Sequence, residues 1–124
     1  ILLNKENITC CLIKLNKIID GGDIIFKKKM KISGRDLFDE IKSKQMRITE
    51  TLFAKLLNTY PNFKMSKQKG QSTFFPRLTS KNDQIDPKKS LESQINILRS
   101  TNYFKHKNFF FLKKKKFYIN IKRK

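Results

Sequence analysis

Apolar and polar positions change rhythm several times along the chain. Residues 8–15, I-T-C-C-L-I-K-L, are β-rich and begin apolar on both faces, as a covered strand does. Residues 16–22 hold Asn16, Asp20, Gly21 and Gly22 and read as a turn. Residues 23–32 predict a second strand that turns polar and basic at Lys27, Lys28 and Lys29. Ser33 is a candidate N-cap, and Asp36 and Glu40 suit the first turns of a helix. From residue 35 to about 58, Leu37, Ile41, Ile48, Leu52, Leu56 and Leu57 recur largely at intervals of three, four and seven. That spacing predicts an amphipathic helix lying on a sheet, with Phe38 and Phe53 widening its buried stripe. Asn58 and Pro61 end it.

Residues 64–87 keep no sustained period and contain Gly70, Pro76 and Pro87. So long a loop inside a domain is usually a linker or a functional segment. Within it, residues 72–78, S-T-F-F-P-R-L, form an aromatic island. Residues 87–90 predict the opening of a second helix, carried on by Leu91, Ile95 and Leu98. Residues 109–112 and 117–121 read as two short strands of a hairpin joined by the tetrad Lys113 to Lys116. The tetrad reads as a solvated turn ahead of a phosphate clamp. No internal repeat is visible.

Charge and cysteine content change this picture only a little. In 124 residues, 29 Lys+Arg stand against 10 Asp+Glu, a formal net charge of +19. Nucleic acid or an anionic membrane would suit that balance. So would compositional drift, because Ile, Asn, Lys and Phe are abundant while Gly, Pro and Trp are scarce. Drift is favoured, since the lysines form no stripe at helical spacing. Cys10 and Cys11 are adjacent, so in a strand they point to opposite faces. With His106 the single histidine and no C-x-x-C, no metal site is expected. No apolar run reaches the roughly 20 residues that span a bilayer. Neither a membrane contact nor a signal peptide is expected, and the cytoplasm is the default compartment. The chain opens on Ile1, Leu2 and Leu3 rather than on Met, so an N-terminal portion is expected to be lacking.

Four pieces, taken in order, resemble one family. They are I-I-D-G-G-D-I-I at residues 18–25, the D-L…L-F…L-L helix at 36–57, the segment Q…G-Q-S-T-F-F-P-R-L-T…N-D…I at 68–85, and I-D at 85–86 followed by the second helix and the F-F-F hairpin. Together they resemble the later part of an N10-formyltetrahydrofolate-dependent formyltransferase. That family includes methionyl-tRNA formyltransferases and enzymes acting on nucleotide-linked amino sugars, and the T-F-F-P-R-L-T form is more similar to the sugar-acting members. The resemblance implies an α/β fold. Residues 1–63 would be the C-terminal part of a Rossmann-like catalytic domain, 64–87 a linker, and 88–124 the start of a small α+β subdomain. Three departures stand out. The family's catalytic Asn and His are absent ahead of the acid. Ile13 stands where many members carry a His. Pro87 follows Asp86 where Trp is common.

On the residues alone, Asp20 before Gly21 is an ordinary turn acid. The resemblance makes it the catalytic acid that orients a histidine, while an Asn stabilises the oxyanion formed when a neutral amine attacks the formyl carbon. It also implies that the backbone of Lys17, Ile18 and Ile19 faces the pterin of N10-formyltetrahydrofolate. Arg77 is a candidate for a substrate phosphate, or equally for an ion pair with Asp83 or Asp86. Phe74 and Phe75 read as core anchors ahead of base-stacking residues. The implied partner is a small primary amine, with a nucleotide-linked sugar ahead of tRNA; a homodimer is compatible. With the Asn and His absent, the chain alone is not expected to catalyse. A reading of another class is a small basic nucleic-acid-binding module centred on residues 109–121.

Overall fold

The computed structural model describes residues 5–71, 73–102 and 105–123, which divide into two compact units. One is built from Asn7–Ile32 and Lys42–Phe74, the other chiefly from Ser33–Ile41 and Phe75–Lys124.

The first unit opens with an antiparallel pair, β1 (Asn7–Lys14) and β2 (Asp23–Lys31). Cys10 lies opposite Lys28 and Cys11 opposite Lys27, and the register shifts between Leu12 and Ile13. Such a bulge sharpens the local twist beside the turn. β1 is not covered on both faces: Ile8 and Cys11 are exposed, and Leu12 and Ile13 are half-buried. A single antiparallel bridge ties β2 to a later segment, where Ile24 and Ser66 exchange both backbone bonds, at 2.8 and 2.9 Å. Met30, Ile32 and Leu52 are buried. The Phe26 and Phe63 rings lie 6.4 Å apart, and the Lys55 ammonium sits 4.4 Å from the Phe26 centroid.

The helix α1 spans Phe38–Thr59, starting later than Ser33. Ser33 instead closes a tight turn, in which its N–H donates to Asp36 Oδ2 at 2.8 Å and its hydroxyl accepts from Arg35 N–H at 3.1 Å. The helix is capped at Leu37, whose N–H donates to Glu40 Oε2 at 2.8 Å, the reciprocal half of a capping box. The apolar stripe is narrower than its spacing suggests: Ile41 and Leu52 are buried, whereas Phe53 and Leu57 are exposed.

In the second unit a 3-10 turn at Ser80–Asp83 precedes another at Glu92–Gln94, and α2 occupies Ile95–Ser100. The expected second helix therefore begins late. Gln94 explains the delay, since its buried amide organises the preceding turn. Its Oε1 accepts from Asp86 N–H at 2.7 Å, and its Nε2 donates to the carbonyls of Asp86, Lys89 and Ser90 at 3.0, 3.3 and 3.3 Å. The hairpin β3 (Asn108–Leu112) and β4 (Lys115–Ile119) closes through Lys113 and Lys114, both at positive φ, 47° and 65°. Only half of the lysine tetrad is turn; Lys115 and Lys116 belong to the strand. Ile85, Leu98 and Phe109 form the buried apolar set here, and Ile85 N–H donates to Phe109 O at 2.7 Å.

Candidate functional site

The turn between β1 and β2 is built by Asn16 and the two glycines. Asn16 Oδ1 accepts from Ile18 N–H at 2.8 Å, and its Nδ2 donates to Gly21 O at 2.9 Å. Gly21 N–H then donates to Ile18 O at 3.1 Å. Asp20 is driven into the left-handed region, φ 56°, a conformation Asp tolerates better than most residues. A Cβ on Gly22 would lie 1.7 Å from Lys14 O, so only glycine lets the chain leave the strand here.

Gln68 fastens this turn from far along the chain. Its Nε2 donates to Asp20 O at 2.6 Å and to Gly22 O at 2.8 Å. Asp20, Gln68, Cys11, Ile13 and Ile24 line a concavity of about 260 Å³. The Asp20 carboxylate is exposed at its rim, on a loop held by paired strands.

Lys17, Ile18 and Ile19 share the Asp20 turn and are exposed, Ile19 at 93%. The Ile18 main chain is already engaged within the turn. Lys17 and Ile19 make no main-chain hydrogen bond among the described residues, so they hold the open donors and acceptors. Arg77 belongs to the other unit and is exposed on an irregular segment. It makes no ion pair with Asp83 or Asp86 among the described residues. Asp83 instead faces His106, Oδ2 to Nδ1 at 3.8 Å, and Asp86 Oδ1 accepts from Lys88 N–H at 3.0 Å. Phe74 and Phe75 are not core anchors, at 90% and 65% exposure, while Ser72, the first residue of the aromatic island, lies outside the described residues.

Among the described residues no three His, Cys, Asp or Glu side chains cluster as metal ligands, and no helix is long and apolar enough to cross a membrane. Cys10 and Cys11 are free thiols. In the hairpin Phe111, Phe117 and Tyr118 are exposed, while Phe109 is buried. Lys116 sits 3.8 Å from the Phe109 centroid and 5.3 Å from that of Tyr118, and Phe110 stacks on Phe117. Neither described sheet closes into a barrel; each has two strands.

Sequence reasoning gave no structural role to three polar residues. Gln68 and Gln94 act through single side-chain amides that no periodicity announces. Arg99 is buried, and its Nε and Nη1 have no hydrogen-bond partner among the described residues. Its place four residues after Ile95, on the same helical stripe, was the signal for that burial.

No family model and no curated protein matches the chain. Solved structures do. A methionyl-tRNA formyltransferase from Clostridium thermocellum aligns with TM-score 0.71 and 24% identity over 90% of this chain and 48% of its own. A 4-N formyltransferase from Francisella tularensis aligns with TM-score 0.69 and 20% identity over 89% of this chain and 48% of its own. A Mycobacterium tuberculosis protein proposed to be a sugar N-formyltransferase aligns with TM-score 0.67 and 15% identity over 86% and 49%. The chain spans about half the length of each structure it matches. Its fold is therefore a mixed α/β fold shared with about half of each of these formyltransferases.

Proposed function

We propose that this chain is the acid-bearing part of an N10-formyltetrahydrofolate-dependent formyltransferase. One observation carries the reading: in a formyltransferase fold, Asp20 stands at positive φ on a strand-to-strand turn fastened by a distant side chain. An exposed acid held in one backbone conformation on a loop between strands is suited to a functional role. Asp20 would accept the N–H of an imidazole supplied from outside this segment, fixing its tautomer and orientation. The main-chain groups of Lys17, Ile18 and Ile19 would face the donor and acceptor edge of the pterin, and those of Lys17 and Ile19 are open for it. The folate would supply the formyl carbon. The concavity beside Asp20 is small for a whole reduced folate, which fits a site whose other wall lies elsewhere.

We favour an amino sugar linked to a nucleotide as the acceptor, on the T-F-F-P-R-L-T segment, with Arg77 exposed to meet a phosphate. Methionyl-tRNA is the second reading, favoured by the +19 charge and by the Clostridium structure. The test is formyl transfer by the polypeptide that carries this chain, offered each amine in turn with N10-formyltetrahydrofolate. Transfer to the amino sugar is expected, falling about 10²- to 10⁴-fold in Asp20→Asn. Transfer to neither amine, or an undiminished rate in the variant, overturns the reading. The present chain by itself should turn over neither.

A further inference from the structure

We propose that Gln68 is a positioning residue for Asp20, locking the acid's backbone in the left-handed conformation that sets the direction of its carboxylate. The functional half of this inference rests on the formyl-transfer reading; the conformational half does not.

A primary amide carries two N–H donors on one nitrogen. In Gln68 that nitrogen reaches both Asp20 O and Gly22 O, at 2.6 and 2.8 Å. These carbonyls flank Gly21, so one nitrogen chelates the corner from two sides. The Asn16 and Gly21 bonds close the opposite side of the same turn. Without Gln68, two carbonyls would return to solvent, and Asp20 would be free to relax to negative φ, where an L residue is more stable. Its Cα–Cβ bond would then point in a different direction.

Gln68 is itself held in place. The antiparallel exchange between Ile24 and Ser66 fixes the chain two residues before it. Gln68 thus couples an otherwise irregular segment to the corner it closes. Its Oε1 makes no hydrogen bond among the described residues, so the wall of the concavity carries an open acceptor beside the acid.

The near-isosteric variant Gln68→Glu keeps the side-chain volume but turns a carboxylate toward the two carbonyls, and Gln68→Ala removes the contact. In each, the one-bond Cα–Hα coupling of Asp20, which reports the sign of φ, is measured by NMR on this chain. Amide exchange at Leu52 and Met30 serves as the control for folding. The expected result is a coupling that leaves its positive-φ value in both variants while the core amides stay protected. A positive-φ coupling retained in Gln68→Glu, or a core lost in both variants together, overturns the proposal. In the polypeptide that performs the transfer, Gln68→Glu should lower kcat about a hundredfold, as a misaimed catalytic group does, with KM for the amine little changed. A rise in KM with kcat intact would assign Gln68 to binding and overturn the positioning role. Absence of transfer altogether, with the NMR result as expected, would defeat the formyl-transfer reading alone.

Discussion

At the scale of single residues, Gly21 and Gly22 look alike in sequence and differ in what they do. A Cβ on Gly22 would meet Lys14 O at 1.7 Å and Lys14 C at 2.7 Å, both backbone atoms that cannot step aside. A Cβ on Gly21 would meet Ile18 Cβ and Cγ2, each at 2.8 Å, and Ile18 O at 3.4 Å, in an exposed turn that can shift more readily than the strand end. Gly22→Ala should therefore destabilise by at least about 3 kcal/mol, the upper end of ordinary overpacking, and Gly21→Ala by about 1 kcal/mol. Urea unfolding of the two variants checks the order, and equal midpoints would show that the strand end yields. The D-G-G-D corner was legible because Asp and Gly signal turns locally. Gln68 was not legible as its clamp, because nothing in a linear pattern joins an amide to carbonyls more than forty residues back. The same blindness hid Gln94, and it made Phe74 and Phe75 look like anchors when they stand in solvent.

At the scale of elements, the strands and the long helix followed from periodicity, while their ends were set by hydrogen bonds. Ser33 carries the right hydroxyl for an N-cap but spends it on Arg35 N–H, and Glu40 caps at Leu37 instead. The late second helix has the same cause in Gln94. Gln94→Glu keeps the acceptor for Asp86 N–H but removes the donors to three carbonyls. It should cost about 1–2 kcal/mol, since three part-buried carbonyls lose a donor and face a carboxylate. Thermal melts of the variant, run at neutral and acid pH, check this, because protonation of the new carboxyl restores one donor and should recover part of the loss. The hairpin turn offers the opposite opportunity. Lys113 and Lys114 occupy two left-handed positions that favour Asn and Gly. The double variant Lys113→Asn, Lys114→Gly should stabilise the chain by about 1–2 kcal/mol. An unchanged melting temperature would mean that this hairpin opens independently of the core.

At the scale of the whole molecule, the dominant fact is a surplus of 29 basic over 10 acidic side chains. Lys27 to Lys29 load the first unit and Lys113 to Lys116 the second, so neither escapes it. Such a charge destabilises the compact state by self-repulsion. The Glu40–Arg123 pair is partly exposed, and pairs of that kind contribute about 0–1 kcal/mol. Added salt screens the repulsion and the attraction alike, with a Debye length that falls from about 30 Å at 0.01 M to about 10 Å at 0.1 M. Because like-charged pairs outnumber opposite ones, screening should stabilise on balance. The melting temperature should therefore climb as sodium chloride rises from about 0.01 to 0.1 M and then level off, as the Debye length drops below the spacing between lysines. A melting temperature that falls with salt would mean that the acids, though few, sit where each holds several lysines. The charge would then be a structural network, and its compositional origin would no longer suffice as an explanation.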